Sequence, residues 1–153
     1  MEESSPSQQL PLRQLPLQVE PWMRGILLLA GAYNIGWGAF IYYFPASFYQ
    51  WITETSAATP GIIKWQGAGV LLFGAAYILV ALYPRRFWWI VLLGILSKVF
   101  GAISFYFLFM QPTLTDSYLF HVIMNDLLWL VPLTIIFVRM IQVRKQNKHE
   151  AAS

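Results

Sequence analysis

Two residues stand where their chemistry is costly. Lys98 lies in the middle of an apolar run over residues 87–109, and Asp126 lies inside another over residues 118–140. A charge held at the centre of a bilayer costs about 2.5–3.5 kcal/mol on insertion scales. The simplest arrangement that lowers this cost is an ion pair. Counted from the 109/118 end, Lys98 is eleven residues deep and Asp126 eight, so their Cα atoms differ in depth by roughly 4–5 Å. A lysine side chain spans that, and two runs joined by a short connection are expected to be neighbours. A Lys98–Asp126 pair facing a helical interior is therefore predicted. Such a pair can fix structure, move protons, or act as acid and base.

Other polar side chains fall at similar depth. Asn34 lies in a run over residues 24–44 and Gln66 in one over 61–83. Asn125 adjoins Asp126, His121 precedes Asn125 by one helical turn, and Ser97 and Ser104 lie on or near the Lys98 face. A buried ion pair needs its spare donors and acceptors satisfied, and Asn34, Gln66 and Asn125 carry suitable amides. One network, with a polar group from each run, is predicted. Trp37, Trp65 and Trp129 fall close to these residues and can wall a pocket for a flat quinone- or sterol-like molecule; core packing is the plainer reading. Glycines accompany the polar positions: Gly31 and Gly38 about Asn34, Gly67, Gly69 and Gly74 after Gln66, and Gly94 and Gly101 on the Lys98 face. Small residues let helices approach closely in lipid. Buried amides often serve only as glue for register. An ionisable pair costs more than a neutral amide, which favours a working site.

Several chemistries find no residues. The sequence has 0 Cys, which removes disulfides, thiol redox pairs, cysteine zinc sites and covalent haem. His121 is the one histidine inside the runs, too few for a two-histidine haem, and no His/carboxylate cluster suits a metal. No cofactor is expected. Gly67 and Gly69 belong to an apolar helix rather than a phosphate loop, and no Ser/His/Asp set makes a nucleophile. Basic residues flank apolar runs with no aromatic interleaving, which argues against nucleic acid.

The elements that must position these residues follow from composition. Of the 153 residues, 58% are hydrophobic and 11% charged, against about 25% charged in a soluble domain. Such a surface suits lipid, and the 7 Trp suit the membrane boundary. Each of the four runs is near the ~20 residues a helix needs to cross about 30 Å of hydrocarbon, and only helices satisfy their own backbone there at this length. Pro45, Pro60, Pro84 and Pro112 mark the run ends, and Pro132 is expected to kink the last run. The predicted fold is all-α, an integral membrane four-helix bundle of antiparallel up-down topology. Its domain covers residues 21–142, with spans at 24–44, 61–83, 87–109 and 118–140. Residues 1–20, polar and proline-rich, are expected to be a disordered cytoplasmic tail that does not read as a signal peptide. Residues 143–153 form a basic tail.

Orientation follows from lysine and arginine. Arg13, Arg24, Arg85, Arg86, Arg139, Arg144, Lys145 and Lys148 fall on one side, while the other has Lys64 with Glu54 and Asp116. The basic side is expected in the cytoplasm, with both termini. The outer segment 46–60, with Phe48, Tyr49, Trp51 and Ile52, is expected to lie as a short helix on the outer leaflet. The turn at Pro84, Arg85 and Arg86 makes its two helices a hairpin.

The four-span layout, the segment from Gly31 to Gly38 (GAYNIGWG) and the segment from Met124 to Trp129 (MNDLLW) resemble small bacterial four-helix membrane proteins of the DoxX-like kind, over residues 24–140. The resemblance implies a multi-pass protein, of the inner membrane if bacterial, that is an accessory or subunit of a membrane redox system. It implies a fold more than an activity. Three functions remain open. The first is an accessory protein, with lipid, a membrane protein or a second copy as partner, whose network binds a lipid-like or quinone-like ligand. The second is a proton-coupled transporter using Lys98 and Asp126. The third is a lipid-modifying enzyme with Asp126 as acid or base, which needs Asp126 unpaired and facing a pocket.

Overall fold

The computed structural model describes residues 18–108 and 115–151, and among these every regular element is helical. Helix α1 (Pro21–Tyr43) opens on a proline, whose missing N–H has no helical partner to lose. Pro45 ends that helix and starts α2 (Pro45–Thr53), which closes on Glu54 in the left-handed region at φ 53°. Helix α3 (Ile62–Leu82) follows Pro60, and a tight turn leads to α4 (Trp88–Leu108). Thr115 caps α5 (Asp116–Val122) by accepting the Tyr118 N–H at 3.1 Å. A π-helical turn, Ile123–Leu127, then joins α5 to α6 (Leu128–Glu150).

Among the described residues three helices are long and apolar enough to cross a membrane: Pro21–Tyr43, Ile62–Leu82 and the continuous 35-residue Asp116–Glu150. They mark a small membrane protein. Helix α4 has 21 residues and is apolar through Gly101. Large apolar side chains face outward along these helices, among them Leu29, Leu72, Phe100 and Val131.

Helices α1 and α3 meet along a glycine seam and run antiparallel. A Cβ added at Gly31 would lie 3.0 Å from the Gly74 carbonyl, and one at Gly74 2.9 Å from the Gly31 carbonyl. Further along, a Cβ at Gly38 would lie 2.9 Å from the Gly67 carbonyl, and one at Gly67 2.6 Å from the Tyr42 nitrogen. Gly69 faces open space instead. Helix α4 packs against the last helix, with Trp88 stacked on Phe137 at 6.1 Å between ring centroids. Leu27, Ala30, Tyr77, Val80, Val91, Leu133 and Ile136 fill the core. At one end Arg24 donates to the Ala81 carbonyl at 2.7 Å, and Arg139 pairs with Glu20 at 3.1 Å.

Three features add to or depart from the expectations. The last helix runs past residue 140 to Glu150: Arg, Lys and Gln are good helix formers, and Lys148 sits in its final turn, where a cation meets the negative end of the helix dipole. Helix α2 does not spend its apolar face on a leaflet. Phe48 and Ile52 are buried against Ile41 and Ile63, so the helix closes one end of α1 and α3. A π turn at Ile123–Leu127 interrupts the α-helical ladder ahead of Pro132, and α6 continues past that proline. Residues 1–17, Pro112 and the Ser104 side chain lie outside what is described.

Candidate functional site: a buried lysine–aspartate node

A π turn holds one residue more than an α turn, and such turns recur at functional sites. Here the Leu128 N–H donates to the Ile123 carbonyl, five residues back. Within the turn, the main-chain carbonyl of Asn125 accepts a hydrogen bond from Lys98 Nζ. Asp126 Oδ1 lies 3.6 Å from the same nitrogen and accepts from Asn125 Nδ2 at 3.0 Å. Lys98, Asn125 and Asp126 are 6%, 6% and 8% exposed. The ammonium thus meets one main-chain dipole and one carboxylate, and the carboxylate meets two donors. Removing one charge would strand the other in a low-dielectric interior, at about 3–5 kcal/mol.

Glycines set the approach of α4. A Cβ at Gly101 would lie 3.3 Å from Asp126 Oδ2, and Gly94 sits directly against the Tyr77 hydroxyl. Between α3, α4 and the π turn lies a cavity of about 40 Å³, lined by Asn34, Tyr77, Ser97, Lys98, Asn125 and Asp126 among others. That is space on the scale of one water, whose share of liquid volume is about 30 Å³. Ligand sites for drug-sized molecules run about 300–1,000 Å³. The side-chain oxygen of Asn125 is buried with no partner among the described residues, and Asn125 lines this cavity, so a water there would satisfy it.

The remaining predicted residues divide. Asn34 is buried at the cavity, but its amide donates to the Ala30 carbonyl at 2.7 Å on its own helix, so it borders the pair without bonding it. His121 is buried one turn away in a separate aromatic cluster: its Nδ1 accepts from Trp37 Nε1 at 3.1 Å, its ring stacks on Trp37 at 5.7 Å and meets Phe48 edge-on at 5.1 Å. Accepting at Nδ1 leaves the proton of the neutral ring on Nε2. Trp129 is buried against Tyr33 at 5.4 Å, its N–H without a partner among the described residues. Gln66 and Trp65 are exposed on the outer face of α3, and Ser97, at the cavity edge, is exposed as well, so the single network with one group per helix does not form. Gln66 contributes nothing to the node, and Trp65 walls no pocket there.

Two participants escape a reading by residue type. Tyr77 is 1% exposed at the cavity; its position three residues after Gly74, on the seam side of α3, is the signal for it. The π turn has a fainter one. His121, Asn125, Trp129 and Leu133 are all buried at steps of four. In an α-helix each such step drifts by about 40°, and the additional residue of the π turn takes up most of the accumulated drift.

Comparison with known proteins gave no matching family model, no matching curated protein and no matching solved structure.

Proposed function

We propose that the chain is a polytopic membrane protein of four antiparallel spans, α1, α3, α4 and Asp116–Glu150, with both termini in the cytoplasm, and that it serves as an accessory or subunit protein rather than an enzyme. The length and apolar character of α4 support the fourth span. Basic residues gathered at the Arg24, Arg85 and Arg139 end support the orientation. Kinship with DoxX-like proteins is part of this reading and rests on the segments 31–38 and 124–129.

One observation carries the non-enzymatic reading. The Asp126 carboxylate is engaged by Lys98 and Asn125 beside a cavity of about 40 Å³. An acid or base acting on a lipid needs a carboxyl within hydrogen-bond reach of substrate, in a cleft that holds it. A quinone-like or sterol-like ligand at the node meets the same limit of space. The node then acts as a clamp that fixes α4 on the last helix.

The test is purification of the full chain from membranes in mild detergent, with chemical cross-linking and native mass spectrometry. A stoichiometric membrane protein partner, or a defined homo-oligomer, is the expected result. A monomer without companion, whose proton flux in proteoliposomes is abolished by Asp126→Asn, would replace the clamp with a transporter. Lipid turnover abolished by the same substitution would replace it with an enzyme.

A further inference from the structure

Basic side chains gather at the end of the molecule away from the aromatic cluster. There a pocket of about 260 Å³ opens between the α3–α4 turn, the start of α4 and the extended end of α6. Its apolar wall is Trp88, Met140 and Val143, and its basic rim is Arg85, Arg144 and Lys148; among the described residues no acidic one lines it. We propose that this pocket binds the phosphate headgroup of an anionic phospholipid of the cytoplasmic leaflet, with the glycerol and first methylenes on the apolar wall.

Three features favour this occupant. Arg144 lies over the Trp88 ring at 4.7 Å from its centroid, and Trp88 is itself stacked on Phe137, so the guanidinium sits at the pocket on a packed support. Guanidinium groups bind phosphate oxygens through paired N–H donors. Arg144 and Lys148 are four apart on one helix face, where like charges repel, and an anion between them and Arg85 converts that repulsion into attraction. Finally, Met140 ends the apolar run 118–140 and Arg144 follows it. The pocket therefore straddles the level at which apolar side chains give way to basic ones, the level of lipid phosphates. A soluble anion would use the rim and leave the apolar wall idle. The inference rests on the membrane orientation proposed above but is independent of the Lys98–Asp126 node.

Native mass spectrometry of the full chain in mild detergent, titrated with phosphatidylglycerol, phosphatidylcholine or inorganic phosphate, tests it. One phosphatidylglycerol per chain is expected, with phosphatidylcholine bound at least tenfold more weakly. Arg144→Gln with Lys148→Gln should weaken phosphatidylglycerol by about 30-fold, at about fivefold for each basic group near the headgroups. Arg86→Gln with Lys145→Gln removes the same charge outside the pocket and should weaken binding several-fold less than the pocket pair does. Equal loss in both pairs would mean diffuse attraction and overturn the site. Stabilisation by inorganic phosphate equal to that by phosphatidylglycerol would overturn the lipid as occupant. Unchanged helicity by circular dichroism separates lost binding from misfolding, and if the double variant fails that check, Arg144→Gln alone should show about a fivefold loss. Extraction of the chain from membranes by alkaline carbonate would sink the membrane reading itself, whereas retention without lipid discrimination would sink this pocket alone.

Discussion

The two main helix seams achieve close approach by opposite means. Between α1 and α3 it is made by absence: Gly31, Gly38, Gly67 and Gly74 let main chain lie against main chain. Around α4 it is made by presence: Gly94 and Gly101 clear space, which Tyr77 from α3 and Asp126 from the π turn fill. The first seam is held by dispersion over a long stretch, the principal attraction left when lipid is as apolar as leucine. The second is held at one point by a charge pair and a redirected carbonyl. A glycine seam sets distance, and sets register by exclusion, since a slide would press a Cβ against main chain. A buried pair sets register, because a slide by one residue would strand a charge.

The largest effect expected from breaking this contrast is at the pair. Asp126→Leu alone leaves the Lys98 ammonium uncompensated and should cost about 3–5 kcal/mol, read from unfolding in mixed detergent–denaturant micelles. Lys98→Met with Asp126→Leu should recover most of that loss, since paired apolar replacements of buried ions are often neutral or stabilising. Additive single-mutant losses in the double variant would show that the two side chains do not act as a unit.

A smaller effect is expected at the glycines. Gly74→Val drives its side chain toward the Ile35 nitrogen, only 2.8 Å from an ideal Cβ, and should cost about 1–3 kcal/mol through overpacking. Gly69→Val, on the open face of the same helix, should stay within about 0.5 kcal/mol by the same assay. Matching losses at both positions would place the cost in helix propensity rather than in the seam. The smallest effect belongs to Arg139 and Glu20, whose side chains are 24% and 45% exposed. Arg139→Gln should lower stability by less than about 1 kcal/mol and lose even that in high salt. A larger drop would mean that this end clasp carries part of the load assigned to the two seams.

Much of this was legible from residue types. Charges in apolar runs have few ways to be satisfied, so Lys98 and Asp126 point to one another before any coordinates. Membrane-length helices likewise follow from run length. Which way a neutral polar residue faces was harder. Gly67 and Gly74, seven apart, mark the inward side of α3. Gln66 stands about 100° from Gly67 and Trp65 and Gly69 about 200°, so depth alone grouped residues that rotation separates. The division of His121 from the pair was also hidden, because it depends on α2 bringing Phe48 over the ends of α1 and α3. The pocket at Arg144 depends on α6 staying helical past the apolar run, which basic composition permits but does not require.

The π turn bears on which changes of length the last helix can absorb. Elsewhere in Asp116–Glu150, losing one residue would turn everything beyond it by about 100° and carry the inward side chains out. Within Ile123–Leu127 the helix already holds one residue beyond the α-helical count. Loss of a single codon there, at Met124, would return the backbone to its ordinary ladder and keep Trp129, Leu133 and Ile136 inward. The Asn125 carbonyl would then rejoin that ladder and be lost to the lysine. At this one place in the span, a reading-frame-preserving deletion spares the architecture and strikes the chemistry.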